Sequence, residues 1–447
     1  MKCVGIFFWG WMCTALLLTP AAVANAQDES NPNPNPALDA LIAEEMDLEN
    51  FPGVAAVIVK DARVVFIKGY GFADIENGAE VNMNTAFLLA SVSKLFTGMA
   101  GVHLSQSGGV DLDADINGIL PFSAAVPAHP AEPITLRQLM THTGSIVDNF
   151  DVMDTYYDQP DPSIGLGEVL QRYLSVDGAD YDPSHFLTAA PGTTFEYANM
   201  GTALSGYVTE VASGMAFSEY CETHLFSPMC METTGWYYSD FQPSQVAHPY
   251  SFQNGSYTPY EQYGFADYPS GQLRSTALDL SRFMITMLSG GKFYNETVLT
   301  LASVEAMLSP QIPTIEPALG LNWYQEELFH DGGSTIVWGH NGGEQGVSTD
   351  LYIDPATGIG VCVLTNGEGD ALYIADALYN YALTLDPATG FIPGSMPISV
   401  DEHETSNTPR TLVKLIDYLG REVEWAPNTP MIKVYSDGSV ERVIWVE

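Results

Sequence analysis

Ser91 and Lys94 stand three residues apart in Ser91-Val92-Ser93-Lys94. At a helix start that spacing puts both side chains on one face, within reach of each other. A serine hydroxyl is a poor nucleophile until a neighbouring base takes its proton. Lysine is such a base only when burial or a nearby cation brings its pKa well below ~10.4. Alone, the pattern equally describes a surface helix. A second copy, Ser289-Gly290-Gly291-Lys292, carries two glycines that argue against a helical turn. Tyr197-Ala198-Asn199 follows Pro191-Gly192 and precedes Gly201. A loop there can aim two groups at one point, a phenol to relay protons and an amide to hold the lysine and a substrate carbonyl. The plain alternative is a buried tyrosine beside a turn-forming asparagine. Gly339-His340-Asn341-Gly342-Gly343 directly precedes a strand pair at 349–365. Its glycines let a substrate lie against the strand edge, where backbone N–H groups can stabilise an oxyanion. His-x-Gly also occurs at His142-Thr143-Gly144 and His330-Asp331-Gly332, so position is what singles out His340.

In that order, S-x-x-K, Y-x-N and H-x-G resemble the serine β-lactamase and penicillin-binding-protein superfamily. More narrowly they are similar to its class C β-lactamase-related branch. Thr85-Ala86-Phe87, Leu139-Met140-Thr141-His142-Thr143-Gly144 and the run from Tyr268 to Thr276 match that branch too, as do Asp354-Pro355-Ala356-Thr357-Gly358 and Leu364-Thr365-Asn366. The resemblance covers residues 37–385. It implies an α/β (α+β) fold of the β-lactamase/transpeptidase type: an antiparallel sheet flanked by helices, with an inserted helical region. It implies Ser91 as the acylated nucleophile, Lys94 as its proton partner and Tyr197 as the relay to the leaving group. Asn199 would orient Lys94 and the substrate. The backbone N–H groups of Ser91 and Gly343 would form the oxyanion hole, with His340 and Gly342 lying against the substrate. No metal or organic cofactor is implied.

The activity so implied is a serine hydrolase acting through an acyl-enzyme, and the N-terminal pattern described below makes it an exported one. Its substrate would be a D-alanyl-D-alanine-type peptide, as for carboxypeptidases, or a small ester. His340 stands where many relatives carry lysine, which weakens attraction for a substrate carboxylate and places β-lactam hydrolysis behind those two. A titrating imidazole there predicts a bend in rate near pH ~6.5. The non-enzymatic alternative is a peptide- or peptidoglycan-binding module of the same fold, which has no use for Ser91, Lys94 and Tyr197 together.

The elements that must position these residues are legible in outline. Leu38, Leu41, Ile42 and Met46 recur at helical spacing over 37–50. Val54–Val59 and Val64–Ile67 read as a hairpin, and Leu95, Met99 and Val102 share one face of a helix running from Ser91 to about Leu104. Residues 105–250 mix helical patches with Pro-rich loops, and the segments 145–190 and 237–270 are the expected lining of a substrate pocket. Thr335–Gly339, Thr349–Asp354 and Ile359–Thr365 read as strands, and Ala371–Leu385 as a closing helix. Residues 27–36 and 386–409 read as linkers. The latter leads to a small C-terminal extension, residues 410–447, with a helix at 410–420 and a hairpin around Asp437-Gly438.

Lys2, an uncharged stretch to Leu18 and Ala24-Asn25-Ala26 describe a secretory signal peptide over residues 1–26. The apolar run falls short of the ~20 residues a spanning helix needs, so the expected location is periplasmic or extracellular, with no stable membrane span. In an oxidising compartment, Cys221 and Cys230 are candidates for a disulfide, and Cys362 reads as a buried strand thiol. Asp111, Asp113, Asp115 and Asn117 alternate like a calcium loop, but Ile116 stands where that loop needs Gly, and Phe122 where it needs Glu. They read as structural acids, and Met229, Met231 and Trp236 as core. The 447 residues carry 55 Asp+Glu against 15 Lys+Arg, a net charge of −40. Such a surface repels phosphate backbones and anionic headgroups, which excludes nucleic-acid binding and suits a saline or extracellular medium. The partner expected is a small molecule or peptide.

Overall fold

The computed structural model describes residues 31–393 and the strand segments 412–416, 430–435 and 440–444. The expected signal peptide and most of the expected second linker lie outside the described residues. Helix α1 (Pro36–Glu49) leads into β1 (Gly53–Lys60), β2 (Arg63–Asp74) and the short β3 (Ala79–Glu80). A long helical region intervenes, and the chain returns as β4 (Tyr324–His330), β5 (Gly333–Glu344), β6 (Val347–Asp354) and β7 (Ile359–Thr365). The two groups join in one seven-stranded sheet, ordered β4-β5-β6-β7-β1-β2-β3, in which β1 pairs antiparallel with β7 from Val54↔Thr365 to Lys60↔Ile359.

Burial explains why β1 and β7 read as continuous apolar runs. Val54, Ala56 and Ile58 face a core shared with α1 and α5 (Leu372–Thr384). Ala55, Val57 and Val59 face the larger core on the opposite side of the sheet. That core holds α2 (Ser93–Gln106), α3 (Asn199–Ser213) and α4 (Ala277–Leu288). A strand covered on both faces has no polar side to alternate with.

Helix α2 is buried almost all round, well beyond the single face its spacing suggested. It runs through the middle of the larger core, and two glycines allow the close packing. A Cβ on Gly101 would lie 2.3 Å from Met140 Cε, and one on Gly98 would lie 3.0 Å from the Leu321 carbonyl.

Three sequence-based boundaries are corrected. Residues 31–35 are not a loose linker: Asn31 is buried, and the Asn33 amide donates to the Val65 carbonyl at 2.7 Å and to Thr389 Oγ1 at 2.8 Å. At the other end, packing continues past Leu385, with Phe391 bridged to Val64 by backbone hydrogen bonds of 2.8 and 3.0 Å. In the extension, Leu412–Ile416 is a strand rather than a helix, and it pairs with Pro430–Tyr435. Pro430–Tyr435 and Val440–Ile444 form the expected hairpin.

The cysteine expectation is corrected as well. No disulfide joins Cys221, which is buried in the core, to Cys230, which is exposed. Cys362, Met229, Met231 and Trp236 are buried as expected. Asp113 pairs with Arg137 through two hydrogen bonds of 2.6 and 2.9 Å, and Asp115 accepts the Asn117 N–H. Among the described residues no group of His, Cys, Asp or Glu is arranged to hold a metal ion.

Asp350, on β6, is buried, and its carboxyl accepts the Tyr352 hydroxyl at 2.7 Å. Burial first, then nearby acids, push this carboxyl up to about 8. In the unfolded chain it ionises near its ordinary value of 3.8, so the folded form binds the extra proton between these two pH values. Its contribution to stability is whole below pH ~4 and falls as pH rises towards about 8. Asp350→Asn keeps the acceptor and removes the ionisation. Thermal melts should therefore show the variant gaining on wild type steadily from pH 5 to pH 8; a constant gap would contradict the assignment.

Candidate active site

Ser91 sits on a 3-10 turn, Ala90–Val92, directly before α2. Ala90 has φ of +47°, a left-handed conformation that costs a non-glycine residue about 1 kcal/mol or more. The preceding residue is held on two sides: the Leu89 N–H donates to the Leu273 carbonyl at 2.8 Å, and Thr349 Oγ1 donates to the Leu89 carbonyl at 2.7 Å. The turn thus presents Ser91 between the larger core and the sheet.

Lys94 is completely buried. Its ammonium donates to Ser91 Oγ at 3.0 Å, Asn199 Oδ1 at 2.7 Å and the Ser270 carbonyl at 2.6 Å. All three protons are in use, which is how a buried cation is kept without loss of hydrogen bonds. The Tyr197 hydroxyl donates to the same Ser91 Oγ at 2.9 Å, and its ring lies 5.0 Å from Lys94 Nζ. The structure thus brings Ser91, Lys94, Tyr197 and Asn199 into one hydrogen-bonded cluster.

Tyr197 and Asn199 are placed by the segment 142–148. His142, itself at φ +51°, grips the tyrosine at three points. Its carbonyl accepts the Glu196 N–H at 2.8 Å, its Nδ1 accepts the Ala198 N–H at 3.2 Å, and its ring stacks on Tyr197 at 4.5 Å. Because Nδ1 accepts, the neutral ring carries its proton on Nε2; burial, then the Lys94 charge, hold it neutral by pulling its pKa well down. Asp148 then caps α3, accepting N–H groups from Asn199 at 2.7 Å and Met200 at 3.0 Å. The sequence marked the 139–144 run only as family likeness. The grip of His142, the cap of Asp148 and the Ser270 carbonyl on Lys94 were missed, because each acts through backbone groups that residue identities do not reveal. His142→Phe keeps a ring against Tyr197 but strands the Ala198 N–H, whereas His142→Asn can still offer an acceptor. Burst kinetics should show acylation slowed about tenfold in the first, from a hydrogen-bond loss of ~1–3 kcal/mol, with KM little changed and partial rescue in the second.

His340, Gly342 and Gly343 lie on β5, beyond the end of β4, whose pairing stops at Tyr324↔Gly339. Residues 340–344 pair with β6 on one side only, which leaves their other edge open. Gly342 lies tight against the serine turn: a Cβ there would stand 2.5 Å from the Leu89 carbonyl and 3.0 Å from Ser91 N. Ser91, Tyr197, His340 and Gly343 line one cleft of about 380 Å³. Its remaining walls come from Phe195 and from Tyr324, Gln325 and Glu326 on β4, with Asn341 and Tyr352, rather than from the segments 145–190 and 237–270. Strand β4 was not legible in the sequence, because Tyr-Gln-Glu-Glu-Leu-Phe-His at a half-covered sheet edge lacks an apolar run.

The expected titration of His340 near pH 6.5 is overturned. The ring is 5% exposed, and burial, followed by the Lys94 charge, pushes its pKa down to about 3. It is neutral at any working pH, and its Nδ1–H donates to the Asn341 carbonyl.

Asp267, also buried, accepts Ser270 Oγ at 2.8 Å and is pushed up to about 6 by burial. Asp267 and Asp148 both lie close enough to Lys94 to feel its charge.

A family model described as Beta-lactamase matches residues 38–386. Protein flp of Staphylococcus aureus (strain MW2) is 25% identical over 332 residues, 74% of this chain and 62% of that protein. The match thus spans less than two thirds of that relative's length. Penicillin-binding protein 4 of Amycolatopsis lactamdurans is 24% identical over 337 residues, 74% of this chain and 83% of that one. Among solved structures, an octameric penicillin-binding protein homologue from Pyrococcus abyssi is similar with a TM-score of 0.63 at 21% identity, covering 91% of this chain and 89% of that one. D-alanine carboxypeptidase AmpC from Burkholderia cenocepacia is similar at 0.59 and 22% identity, covering 78% and 98%. At such identities the structures establish the β-lactamase/transpeptidase-like fold. With most of its length matched by the family model, the chain belongs to the Beta-lactamase family, within the serine β-lactamase and penicillin-binding-protein superfamily.

Proposed function

We propose that this chain is an exported serine hydrolase that works through an acyl-enzyme on Ser91, cleaving a D-alanyl-D-alanine-type peptide or a small ester. One observation carries the reading: Lys94 Nζ and Tyr197 Oη both lie within hydrogen-bond distance of Ser91 Oγ, at 3.0 and 2.9 Å. In that reading Lys94 and Tyr197 manage the proton that Ser91 loses as its Oγ attacks the carbonyl carbon. The developing oxyanion is met by the backbone N–H groups of Ser91 and Gly343. Tyr197 passes a proton to the leaving amine or alcohol, and the same groups later activate the water that frees the acyl product. The basic start and the Ala24-Asn25-Ala26 site support export.

The test is covalent labelling. A fluorescent phosphonate or a labelled penicillin should modify wild type on Ser91, as read by mass spectrometry of the adduct, and leave Ser91→Ala unmodified. Wild type that stays unlabelled by both probes would favour the binding-module reading.

A further inference from the structure

Strand β5 turns into β6 through Gln345 and Gly346, with Glu344 paired to Val347. A two-residue loop makes that pair the hydrogen-bonded one, so the N–H of Gly343, one residue earlier, points to the open edge. Nothing lies within 4 Å of where a Gly343 Cβ would stand, so packing at that residue does not fix its N–H. The hold comes from the tip of the hairpin. Alternation sends the Glu344 side chain to the face of Gly342, which lies against the serine turn. There its carboxylate accepts the Tyr157 hydroxyl at 2.9 Å and the Gln345 N–H at 2.9 Å. The Gln345 carbonyl accepts the Tyr263 hydroxyl at 2.6 Å, and the Gly346 N–H donates to Glu368 Oε1 at 3.1 Å. Burial, then the Glu344 charge, push both phenols well up, so each stays a donor at any working pH.

The same tyrosines reach the serine side. Tyr157 pairs with Phe265 in a short antiparallel ladder, and its ring lies 5.1 Å from that of Phe265 and 6.0 Å from that of Tyr263. Tyr263 and Phe265 share a buried cluster with Val347 and with Ala90, the residue before Ser91, and Tyr157 packs against it. One aromatic block therefore touches both the turn that carries the Ser91 N–H and the hairpin that carries the Gly343 N–H.

We infer that Tyr157 and Tyr263 are positioning residues that set the separation of the Ser91 and Gly343 N–H groups, Tyr157 through the Glu344 carboxylate and Tyr263 through the Gln345 carbonyl. Neither tyrosine lines the cleft, so both act through the hairpin rather than on a substrate. The inference rests on the acyl-enzyme reading and extends it from the two N–H groups to what holds them in register.

Tyr157→Phe keeps the ring and removes one hydroxyl. The burst of p-nitrophenolate from p-nitrophenyl acetate separates the acylation rate from the substrate dissociation constant. The rate should fall about tenfold and the constant stay unchanged, because only the charged, tetrahedral state needs the two N–H groups. Phenylboronic acid, whose tetrahedral adduct with Ser91 sets an oxygen at those groups, should bind about tenfold more weakly. Tyr263→Phe should behave alike, and Glu344→Gln, which still accepts the phenol, should keep most of the rate. Glu344→Ala cuts the same bond as Tyr157→Phe and carries the same expectation should that variant melt below the assay temperature. Combining Tyr157→Phe with Glu344→Ala should cost no more than Glu344→Ala alone, since the hydroxyl acts through that carboxylate. A wild-type acylation rate in Tyr157→Phe, a loss confined to the dissociation constant, or additive losses in the double variant would overturn the inference and leave Ser91 as the nucleophile. Wild type that neither gives a burst nor binds the boronic acid would count against the hydrolase reading and take the inference with it.

Discussion

Replacing Lys94 by methionine is expected to slow acylation of Ser91 by about 10³-fold or more, with the protein still folded. The estimate follows from the loss of a positioned acid–base group, worth ~10²–10⁴ in rate. Loss of the charge that sits 5.0 Å from the Tyr197 ring and polarises it adds to this. Methionine is close in length and suits a site with no exposure. It does leave Asn199 Oδ1 and the Ser270 carbonyl without their donor. Each orphaned acceptor costs ~1–3 kcal/mol, so the melting temperature should drop as well. Relief of the positive charge would also let the His142 and His340 rings protonate more readily, since Lys94 contributes to holding both neutral. The decisive measurement is the acylation rate with a phosphonate probe, normalised to folded protein by circular dichroism. Retention of more than a tenth of the wild-type rate would remove Lys94 from the proton path and leave Tyr197 as the base.

The second large effect concerns one methyl group. Gly342→Ala places a carbon 2.5 Å from the Leu89 carbonyl and from Thr349 Oγ1, two atoms that are hydrogen-bonded to each other at 2.7 Å. Real Cβ atoms do not approach so closely, so β5 must move away from the serine turn. That movement carries the Gly343 N–H away from the Ser91 N–H. If these two form the oxyanion hole, the rate should fall by about 10²–10³, the effect of losing one such donor. Gly343→Ala adds its carbon into open space and keeps the N–H, so its loss should be far smaller. Comparing kcat/KM for the two variants separates a role for backbone geometry from a general need for small residues. Equal losses would place the oxyanion elsewhere.

Much of the site was legible from residue types and order. Three short motifs far apart in the chain nominated Ser91, Lys94, Tyr197, Asn199, His340, Gly342 and Gly343, and the structure brings Ser91, Lys94, Tyr197 and Asn199 into one hydrogen-bonded cluster beside the strand that carries the other three. The strands β1 and β7 were readable because burial on both faces leaves an almost unbroken apolar run. Strand β4 was not, because a half-exposed edge strand is polar, and it turned out to supply part of the cleft wall. The C-terminal extension misled for a related reason: Leu412–Ile416 is too short for its periodicity to separate helix from strand, and pairing with Pro430–Tyr435 decides.

Residue chemistry and chain order by themselves determined which side chains could act and the family they point to. Those properties are local to short motifs and survive without knowledge of packing. Only the tertiary structure decided the ionisation of those groups. The sequence expects His340 to titrate near neutrality, yet enclosure beside Lys94 keeps it neutral down to about pH 3. Likewise, nothing in Leu139–Gly144 announces that His142 holds Tyr197, because that grip is made by a backbone carbonyl, a ring nitrogen and a stacked face meeting a segment more than fifty residues away. Desolvation and through-space contacts depend on what surrounds a group, and a fold assembles those surroundings from distant parts of the chain.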